Sequence, residues 1–412
     1  MKRASFLFAA VALFFSCALA LEAQTNVRVL TYNIHRDIGA SDSNISSQPA
    51  LAKVVNYLKP DIWAINELGG NNASFNPTTA RSRLVTFIHD QLSIFGANPQ
   101  ENVNYFIYIG TIDDGYITEA IVSRYSFAST HTYSDAGNGF GSLRGLVSAS
   151  VNIPGTIKLD VFAAHLKALN TTTDAEKRQT EADVDRNNVI NWMSAHAADS
   201  IIVTGDWNET EDAGEATNWS GHQIGDLLPN PNEPYHPIAT VHSAGLIDPS
   251  PLSIAGNHDT IDSTSPDARF DYTMYARMSF LNGQIFDTKQ YTSTQLAALN
   301  AANGTNFIAS DSADASDHLP VLSVFQIGGT PPAPVLIKVA REGANLSVTY
   351  QKIAAPNFTY TIEGSNDLVS WTARQTQDQV LDQNGDTQTV KSSVAIGGAN
   401  KLFLRVRVTI TP

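Results

Sequence analysis

The stretch SIIVTGDWN, residues 200–208, joins an apolar run to a polar loop. Its first five residues have the length and the β-branched content of a buried strand. The segment directly before it, TDAEKRQTEADVDRNNVINWMSAHAAD at residues 173–199, is the longest helix candidate of the chain. A helix that leads straight into a buried strand is typical of a layered α/β fold, in which sites are built at strand ends. We therefore expect Asp206 and Asn208 to belong to a site, and the alternative is an Asx-type turn.

The same alternation of strand and helix begins near the N-terminus. VRVLTYNIH (27–35) is typical of a strand, QPALAKVVNYLKPD (48–61) of a helix with one apolar side, and DIWAINE (61–67) of a second buried strand. The pattern predicts an α/β domain, which we place at residues 21–327. Further strand candidates that support it lie at residues 104–110, 119–125, 143–153 and 157–166.

The chain changes character after residue 327. GGTPPAP, residues 328–334, is a Gly/Pro-rich segment typical of a linker. Beyond it, residues 335–412 contain short β-like runs separated by polar turns, which is typical of a small all-β sandwich. The sequence defines no ligand for this module, and a surface or a polysaccharide is the partner that we consider for it.

The first 20 residues have the pattern of a secretory signal peptide. A charged start at Lys2 and Arg3 is followed by an apolar stretch, residues 6–19, and by an A-x-A sequence at residues 18–20. The apolar stretch is shorter than the roughly 20 residues of a membrane-spanning helix, and no later stretch approaches that length. We therefore expect a soluble protein that is secreted or periplasmic.

The chain contains a single cysteine, Cys17, which lies inside this signal. Phe14, Phe15 and Ser16 before it match a lipid-attachment sequence poorly, so we do not expect a lipoprotein anchor. Cleavage after Ala20 would leave no thiol, which excludes disulfides and cysteine-ligated zinc. Any metal site must then use oxygen and imidazole ligands.

The chain is acidic, with a formal net charge of −14 that becomes −16 when Lys2 and Arg3 are removed. Such a field opposes tight non-specific binding to a polyanion. It does not exclude a phosphate ester as substrate, because bound divalent cations reverse the local potential.

Several side chains that bind metals or transfer protons stand at the predicted strand ends. Carboxylate and amide oxygens are ligands for Mg²⁺ and similar cations, and imidazole is a usable acid or base near neutral pH. Gathered at one edge, these side chains would form a site for metal-assisted chemistry. The residues are Asn33, Glu67, His165, Asp206, Asn208, Asp271, Asp317 and His318.

These residues lie in six short motifs whose order resembles that of the endonuclease/exonuclease/phosphatase superfamily. The motifs are TYNIH, INE, AAHL, GDWN, RFDY and SDHLP, and they fall within residues 26–327. The superfamily includes pancreatic-type deoxyribonucleases, abasic-site endonucleases, bacterial sphingomyelinases and inositol-phosphate phosphatases. The resemblance implies a four-layer α/β sandwich, in which helices flank two packed β-sheets, and a metal-dependent phosphoester hydrolase site.

The resemblance also implies a metal site and the groups that act beside it. Glu67 is the counterpart of the primary metal ligand, with Asn33 beside it and Asp317 as a further ligand or support. Asp206 would orient or deprotonate the attacking water, and Asn208 would hold a phosphoryl oxygen. The implied cation is Mg²⁺, with Mn²⁺ or Ca²⁺ as the alternatives.

Two histidines complete the implied site. His318 resembles the histidine that faces the scissile phosphate, with Asp271 fixing its tautomer and favouring its charged form. His165 resembles the second histidine of the deoxyribonuclease-like branch, in which its best-matching partners are Glu119 and a phosphate-contacting arginine, Arg144. A phosphodiester repels nucleophiles, so its hydrolysis needs charge neutralisation and a proton for the leaving oxygen.

The sequence favours a nuclease or phosphodiesterase, because both histidine motifs and Arg144 point to the deoxyribonuclease-like branch. The acidic balance and the missing basic stripe weaken that choice. A sphingomyelinase-like phospholipid phosphodiesterase and a sugar- or inositol-phosphate phosphatase stay open as alternatives. A catalytically inactive binding module is a further hypothesis, although all six motifs are present. We expect substrate choice to lie in loops such as residues 209–240 and 279–312, and we expect a monomer.

Overall fold

The computed structural model describes most of the chain: residues 25–154, 158–169, 171–196, 199–209, 235–261, 268–327, 335–353, 358–366, 370–384, 387–396 and 402–410. The predicted signal peptide, Cys17 and the linker at residues 328–334 lie outside the described residues. Most of the loop at residues 209–240 lies outside them as well.

The described residues form six α-helices and eighteen β-strands. The helices are α1 Gln48–Leu58, α2 Pro77–Gln91, α3 Thr172–Ala195, α4 Pro237–His242, α5 Ser293–Asn303 and α6 Asp311–Ala315. The strands of the first part of the chain are β1 Thr25–Asn33, β2 Ile62–Gly69, β3 Phe106–Ile109, β4 Ile117–Ser123, β5 Phe127–Tyr133, β6 Leu146–Asn152, β7 Lys158–His165, β8 Ser200–Asp206, β9 Asp271–Ala276, β10 Ser279–Ile285 and β11 Val321–Ile327. The strands of the second part are β12 Val335–Glu342, β13 Asn345–Ile353, β14 Phe358–Ser365, β15 Thr372–Ala373, β16 Gln377–Asn384, β17 Thr387–Ala395 and β18 Phe403–Ile410.

Two mixed sheets form the centre of the first part of the chain. A six-stranded sheet has the order β10-β11-β1-β2-β4-β3, and a five-stranded sheet has the order β5-β6-β7-β8-β9. β1 pairs in parallel with β2, and β7 pairs in parallel with β8, whereas the other neighbours are antiparallel. Parallel neighbours need a crossover connection, and α1 and α3 lie in the two crossovers.

Three apolar clusters define the stacking of sheets and helices. Val29, Ala64 and Ile202 belong to the cluster that joins the two sheets. Leu51 of α1 and Leu84 of α2 pack with the outer face of the six-stranded sheet, and a third cluster joins the five-stranded sheet to α3 and α4. The result is the four-layer α/β sandwich that the sequence predicts. β8 is buried along its whole length because both of its faces are covered, which explains its continuous apolar run.

The second part of the chain forms two antiparallel sheets, as predicted for a small all-β sandwich. Their strand orders are β12-β13-β17-β16 and β15-β14-β18. Val348 and Val390 from the first sheet share an apolar cluster with Ile362 from the second, as expected for sheets packed face to face. The β-like runs of the sequence are NLSVTYQ, FTYTIEGS, VSWTA, TQTVKSSVAI and KLFLRVRVTI. They include neither β12 nor β16, because β12 adjoins a Pro-rich segment and β16 reads QDQVLDQN, which is polar on both faces.

Other elements differ from the sequence-based expectation. Residues 279–312, expected to be a loop, contain β10, α5 and the first two residues of α6. The sequence also does not predict β5 or α2, because both have polar surfaces. β5 has no fully buried residue, and α2 places Ala80, Leu84, Phe87 and Ile88 in the core within an otherwise hydrophilic segment.

A layer of three threonines links the sheets directly beneath the strand ends. Thr31 of β1, Thr204 of β8 and Thr273 of β9 are fully buried. The hydroxyl of Thr273 lies 3.1 Å from that of Thr31 and 2.9 Å from that of Thr204, which also donates to the Tyr272 carbonyl at 2.9 Å. Side chains two residues apart in a strand share a face, so the same three strands direct their next side chains into the space above this layer.

We expect Thr204→Val to lower the free energy of unfolding by about 1–3 kcal/mol, because it leaves buried hydroxyl and carbonyl partners unsatisfied. Thr204→Ser keeps the hydroxyl and removes one methyl group, so its effect should be about 1 kcal/mol. Urea denaturation of both variants measures the difference. A valine variant that is more stable than the serine variant would show that packing, rather than hydrogen bonding, governs this layer.

Candidate active site

Strand alternation brings the predicted site residues of four strands into the space between the sheets. Asn33 follows Thr31 by two residues in β1, and Asp206 follows Thr204 by two residues in β8. Asp271 stands two residues before Thr273 in β9, which runs antiparallel to β8 and pairs Asp271 with Asp206. His165 pairs with Asp206 across the parallel strands β7 and β8.

Asn33 is the centre of the hydrogen-bond network at this end of the sandwich. Its side chain is fully buried, and its Nδ2 donates to Asp206 Oδ2 at 2.9 Å and to Glu67 Oε1 at 3.2 Å. The same nitrogen lies 3.4 Å from His318 Nε2. Its Oδ1 accepts from the backbone N–H of His35 at 3.0 Å. A ligand role for Asn33 would use that oxygen, so the metal-binding role stays a prediction.

Glu67 reaches Asn33 through an irregularity in β2. Regular alternation would place Glu67 on the same face as Ile65, which packs towards the helices. The pairing of β2 with β4 shifts between Ile65 and Leu68, and Glu67 has a φ of 61°. A bulge of this kind re-aims a side chain, and here it directs the carboxylate to Asn33.

His318 and Asp271 form a close buried pair. His318 Nδ1 lies 2.8 Å from Asp271 Oδ2, and His318 Nε2 lies 3.6 Å from Asp206 Oδ2. Burial acts to lower the pKa of His318, but the carboxylates of Asp271 and Asp206 outweigh it and raise this pKa to about 10. The ring is therefore held as a cation at neutral pH, and Asp271 fixes its orientation.

Asp206 combines a buried carboxylate with two hydrogen-bond donors. Burial raises its pKa to about 7, against the opposing effect of the His318 cation. Its Oδ1 accepts from the backbone N–H of Asn208 at 2.8 Å, and its Oδ2 accepts from Asn33. Asn208 has a φ of 49°, and its side-chain Nδ2 donates to the Leu166 carbonyl at 3.1 Å. The loop after β8 is thus an Asx-type turn that also positions a site carboxylate.

The second histidine stands between two carboxylates. His165 Nδ1 lies 3.4 Å from Glu119 Oε1, and its Nε2 lies 3.4 Å from Asp206 Oδ2. Burial lowers the pKa of His165 well below its usual value, and the charge of Arg144 adds to this effect. Burial raises the pKa of Glu119 well above its usual value. The structure therefore brings together the predicted His165–Glu119 pair in an environment that disfavours charge on both members.

Arg144 is buried behind this pair. Its Nε and Nη2 donate to the carbonyls of His165 and Leu166 at 3.1 and 2.8 Å. Its Nη1 lies 3.1 Å from Asp114 Oδ2, and its side chain is only 5% exposed. In this arrangement the guanidinium positions the end of β7. The phosphate contact implied for Arg144 stays a prediction, because these donors face protein acceptors.

Asp317 points away from the buried network. Its side chain is 55% exposed, and its Oδ2 lies 3.7 Å from His35 Nε2. The neighbouring Ser316 turns inward, where its hydroxyl donates to the Asn33 carbonyl at 2.7 Å and accepts from the His318 N–H at 3.2 Å. Ser316 therefore points into the interior, whereas Asp317 lies at the exposed edge of the site, which we call its mouth.

Three contributing residues are missing from the sequence-based set. Asn66 joins the sheets, since its Nδ2 donates to the Ala164 carbonyl at 2.7 Å. Ser316 ties His318 to β1. Arg36 lies with Nε 3.1 Å from Glu67 Oε2. Asn66 and Ser316 lie within the motifs INE and SDHLP, and Arg36 directly follows TYNIH, but position in the sequence alone does not show which of these side chains turn inward.

The metal-ligand atoms at this end of the sandwich suit a hard divalent cation. Oxygen or nitrogen ligand atoms of Asp206, Asp271 and His318 lie within 4.8 Å of one another. A protonated imidazole is no metal ligand, so the raised pKa of His318 favours the carboxylates as donors. Glu67 Oε2 is buried and has no aligned hydrogen bond within the described part of the chain. Such an oxygen suits a cation that prefers carboxylate ligands.

Comparisons with known proteins identify the family. The model of the Endonuclease/Exonuclease/phosphatase family matches residues 30–318. No curated protein matches the chain significantly. Three solved structures are similar to it: an endonuclease/exonuclease/phosphatase from Beutenbergia cavernae DSM 12333 (15% identity, 94% of this chain and 93% of that chain, TM-score 0.46), truncated TDP2 from Caenorhabditis elegans (14%, 73% and 98%, 0.44), and ANGEL2, described as a 2′,3′-cyclic phosphatase (12%, 74% and 95%, 0.48).

The family match covers more than half of the chain and spans every predicted site residue from Asn33 to His318. The chain therefore belongs to the endonuclease/exonuclease/phosphatase family.

Proposed function

We propose that this protein is an exported, divalent-cation-dependent phosphoester hydrolase, and that a phosphodiester, with nucleic acid favoured, is its substrate. The observation that carries the proposal is the buried network in which Asn33 joins Glu67, Asp206 and His318, while Asp271 orients His318. Buried charges of this density are unfavourable unless they have partners. A network that places them at the open end of two sheets is suited to chemistry rather than to stability.

Asp206 is the group that we assign to the attacking water. A carboxylate with a pKa near 7 is a stronger base than an ordinary aspartate and is half ionised near neutral pH. The Asn33 and Asn208 donors hold the carboxylate in one orientation. Asp206 would therefore position a water and accept its proton as the nucleophile adds to phosphorus.

His318 is the group that we assign to the charge of the reacting phosphate. Its cationic form is stabilised by Asp271, and its Nε2 faces the Asn33–Asp206 side of the site. A fixed cation in a site that excludes water stabilises the negative charge that develops on the phosphoryl oxygens. The same Nε2–H is a proton source for the leaving oxygen.

His165 and Asn208 have supporting roles in this scheme. Burial lowers the pKa of His165 and so favours its uncharged form. Its Nε2 lies 3.4 Å from Asp206 Oδ2, so it adds a polar contact to Asp206 without adding a second full charge. We assign to Asn208 a hydrogen bond to a phosphoryl oxygen, which its half-buried amide would provide by turning from the Leu166 carbonyl.

Glu67 is the residue that we assign to the cation, with Asn33 and Asp317 beside it as the resemblance implies. Its buried Oε2 has no aligned hydrogen bond within the described residues and lies 3.1 Å from Arg36 Nε, and we assign this oxygen as the ligand atom. A bound Mg²⁺, or Mn²⁺ or Ca²⁺, supplies charge neutralisation at the phosphate. The residues of the chain then need only orient the reactants and transfer protons.

Two features of the chain bear on the substrate class. The buried His165–Glu119 pair supports the diesterase choice, since it matches the deoxyribonuclease-like pattern. The net charge of −14 argues against an extended protein surface that binds a polyanion. A phospholipid phosphodiester and a sugar or inositol phosphate remain the alternatives, and a catalytically inactive binding module is the remote one.

We also propose the domain organisation and the location that the sequence predicts. A signal peptide at residues 1–20 would export a hydrolase domain at residues 21–327, which a linker at residues 328–334 joins to the β-sandwich at residues 335–412. The sandwich would bind a surface or a polysaccharide, and the protein would act as a monomer. Within the described residues, no helix combines the length and the apolar character needed to cross a membrane.

The direct test is hydrolysis of a substrate panel by the purified chain. We expect cleavage of duplex DNA with Mg²⁺ and none with EDTA, and we would compare sphingomyelin and a set of phosphomonoesters under the same conditions. Cleavage of lipid or monoesters alone would replace the nucleic-acid assignment. Cleavage that persists in EDTA would contradict the cation requirement, and no cleavage of any substrate would support the inactive module.

Single substitutions test the assigned roles. Glu67→Gln and His318→Ala should each lower kcat by about 10²-fold or more, because each removes charge stabilisation or proton transfer in the reaction. The matched control is His89→Ala, whose ring is 49% exposed on α2. Circular dichroism and thermal unfolding would verify that all three variants fold. Full turnover in either site variant would contradict the mechanism.

The pH profile tests the electrostatics of the site. We expect kcat/KM to rise through about pH 7 as Asp206 loses its proton, and to fall near pH 10 as His318 loses its own. Asp271→Asn removes a carboxylate that raises the pKa of His318, so the alkaline limb should move to lower pH. Asp90→Asn, at an exposed site on α2, is the control. An alkaline limb that stays in place in Asp271→Asn would show that His318 is not the group that titrates.

A further inference from the structure

Two consecutive residues after Asn33 adopt left-handed backbone conformations. His35 has a φ of 47° and Arg36 a φ of 64°. Non-glycine residues rarely adopt this region because of steric strain. The Asn33 side chain accepts from the His35 N–H, and the Arg36 carbonyl accepts from Asn44 N–H at 3.3 Å. The surrounding structure thus holds a strained turn beside the site.

The strained turn points two basic side chains at two acidic ones. His35 Nε2 lies 3.7 Å from Asp317 Oδ2, and Arg36 Nε lies 3.1 Å from Glu67 Oε2. Glu67 and Asp317 are the carboxylates that the sequence predicts for the cation. A basic side chain of the chain itself therefore stands beside each of them.

The contact between Arg36 and Glu67 is a charge contact rather than a well-formed hydrogen bond. Arg36 Nε and Glu67 Oε2 are both buried, and neither has an aligned hydrogen bond within the described residues. The Arg36 side chain is nevertheless 35% exposed, so it also reaches the mouth of the site. Such a pair neutralises the charge of Glu67, but little interaction free energy is lost when the guanidinium moves away.

The other basic side chains close to the site are held by the protein. Arg144 donates to two backbone carbonyls and contacts Asp114. Lys167 lies 3.0 Å from Asp174. Arg178 donates to the Lys167 and Leu169 carbonyls and lies 3.1 Å from Glu209. Arg36 is the one among these four that combines partial exposure with a poorly aligned partner.

We propose that Arg36 is a phosphate-binding residue that pairs with Glu67 until a cation binds this carboxylate, and then contacts a non-bridging oxygen of the substrate phosphate. The inference rests on the proposed function of the same site. The planar guanidinium presents several N–H groups in a geometry that matches phosphate oxygens. This assignment gives the site the arginine–phosphate contact that buried Arg144 does not offer in the observed arrangement.

The first test is Mg²⁺ binding to the purified chain by calorimetry, without substrate. Arg36→Gln keeps a polar side chain and removes the charge, so Mg²⁺ should no longer compete with the guanidinium and should bind about 2- to 5-fold more tightly. The matched control is Arg124→Gln. Arg124 is 37% exposed and lies 3.2 Å from Asp61, at the opposite end of β2 from Glu67. Its loss should leave Mg²⁺ affinity unchanged.

The second test is binding of inorganic phosphate at saturating Mg²⁺. Arg36→Gln should weaken it by about tenfold or more, since the variant loses a charge-assisted hydrogen bond. The phosphate affinity of Arg36→Lys should lie between those of Arg36→Gln and the parent chain, because lysine keeps the charge but lacks the planar guanidinium. For a substrate that the parent chain hydrolyses, KM should rise most in Arg36→Gln and less in Arg36→Lys. The change in kcat should be smaller.

These outcomes separate the two proposals. The parent chain could bind Mg²⁺ and hydrolyse a phosphoester while Arg36→Gln has the same affinities for Mg²⁺ and for inorganic phosphate. This result would refute the role of Arg36 and leave the proposed function standing. Weaker Mg²⁺ binding in Arg36→Gln would also refute it, because Arg36 would then support the cation rather than compete with it. If the parent chain neither binds Mg²⁺ nor hydrolyses any substrate, both proposals fail.

Discussion

The side-chain alternation of the strands that face each other across the sandwich is the constraint on which the site depends. In β1, β8 and β9, every second residue enters the space between the sheets. Within the sandwich these residues are apolar, then comes the threonine layer, and then Asn33, Asp206 and Asp271. A shift of one residue in any of these strands would turn its site residue towards the helices. The core therefore sets the geometry of the chemistry.

The threonine layer separates the apolar core from the charged site. Buried polar groups without partners are costly in a region of low dielectric. Hydroxyl groups both donate and accept, so Thr31, Thr204 and Thr273 satisfy one another and a backbone carbonyl. Above them, Asn33 donates to Asp206 and Glu67. Polarity thus rises stepwise from the core to the mouth of the site.

The sequence predicts most of the fold and the positions of the site residues, because both follow from strand alternation and from six ordered motifs. It does not predict what depends on local departures from regular geometry. Glu67 reaches Asn33 only through a bulge, whereas Asp317 points outward beside the inward-pointing His318. Arg144 stands at the expected place in the chain, yet its guanidinium faces the interior. Strand β16 and helix α2 are missed because their apolar patterns are weak.

Several buried polar atoms of the candidate site have no aligned hydrogen bond within the described residues. Glu67 Oε2, Asp271 Oδ1, His165 Nδ1 and both oxygens of Glu119 are buried without an aligned hydrogen bond within the described residues. Stability alone disfavours such groups, since each loses its hydration without gaining a partner. Contacts of 3.1–3.7 Å with Arg36, Arg144 and His165 hold two of these groups, the carboxylates of Glu67 and Glu119, in place. In the proposed function, a cation and a phosphate would supply the partners that these groups lack. The unpaired groups that cost stability would then be the ones that favour ligand binding.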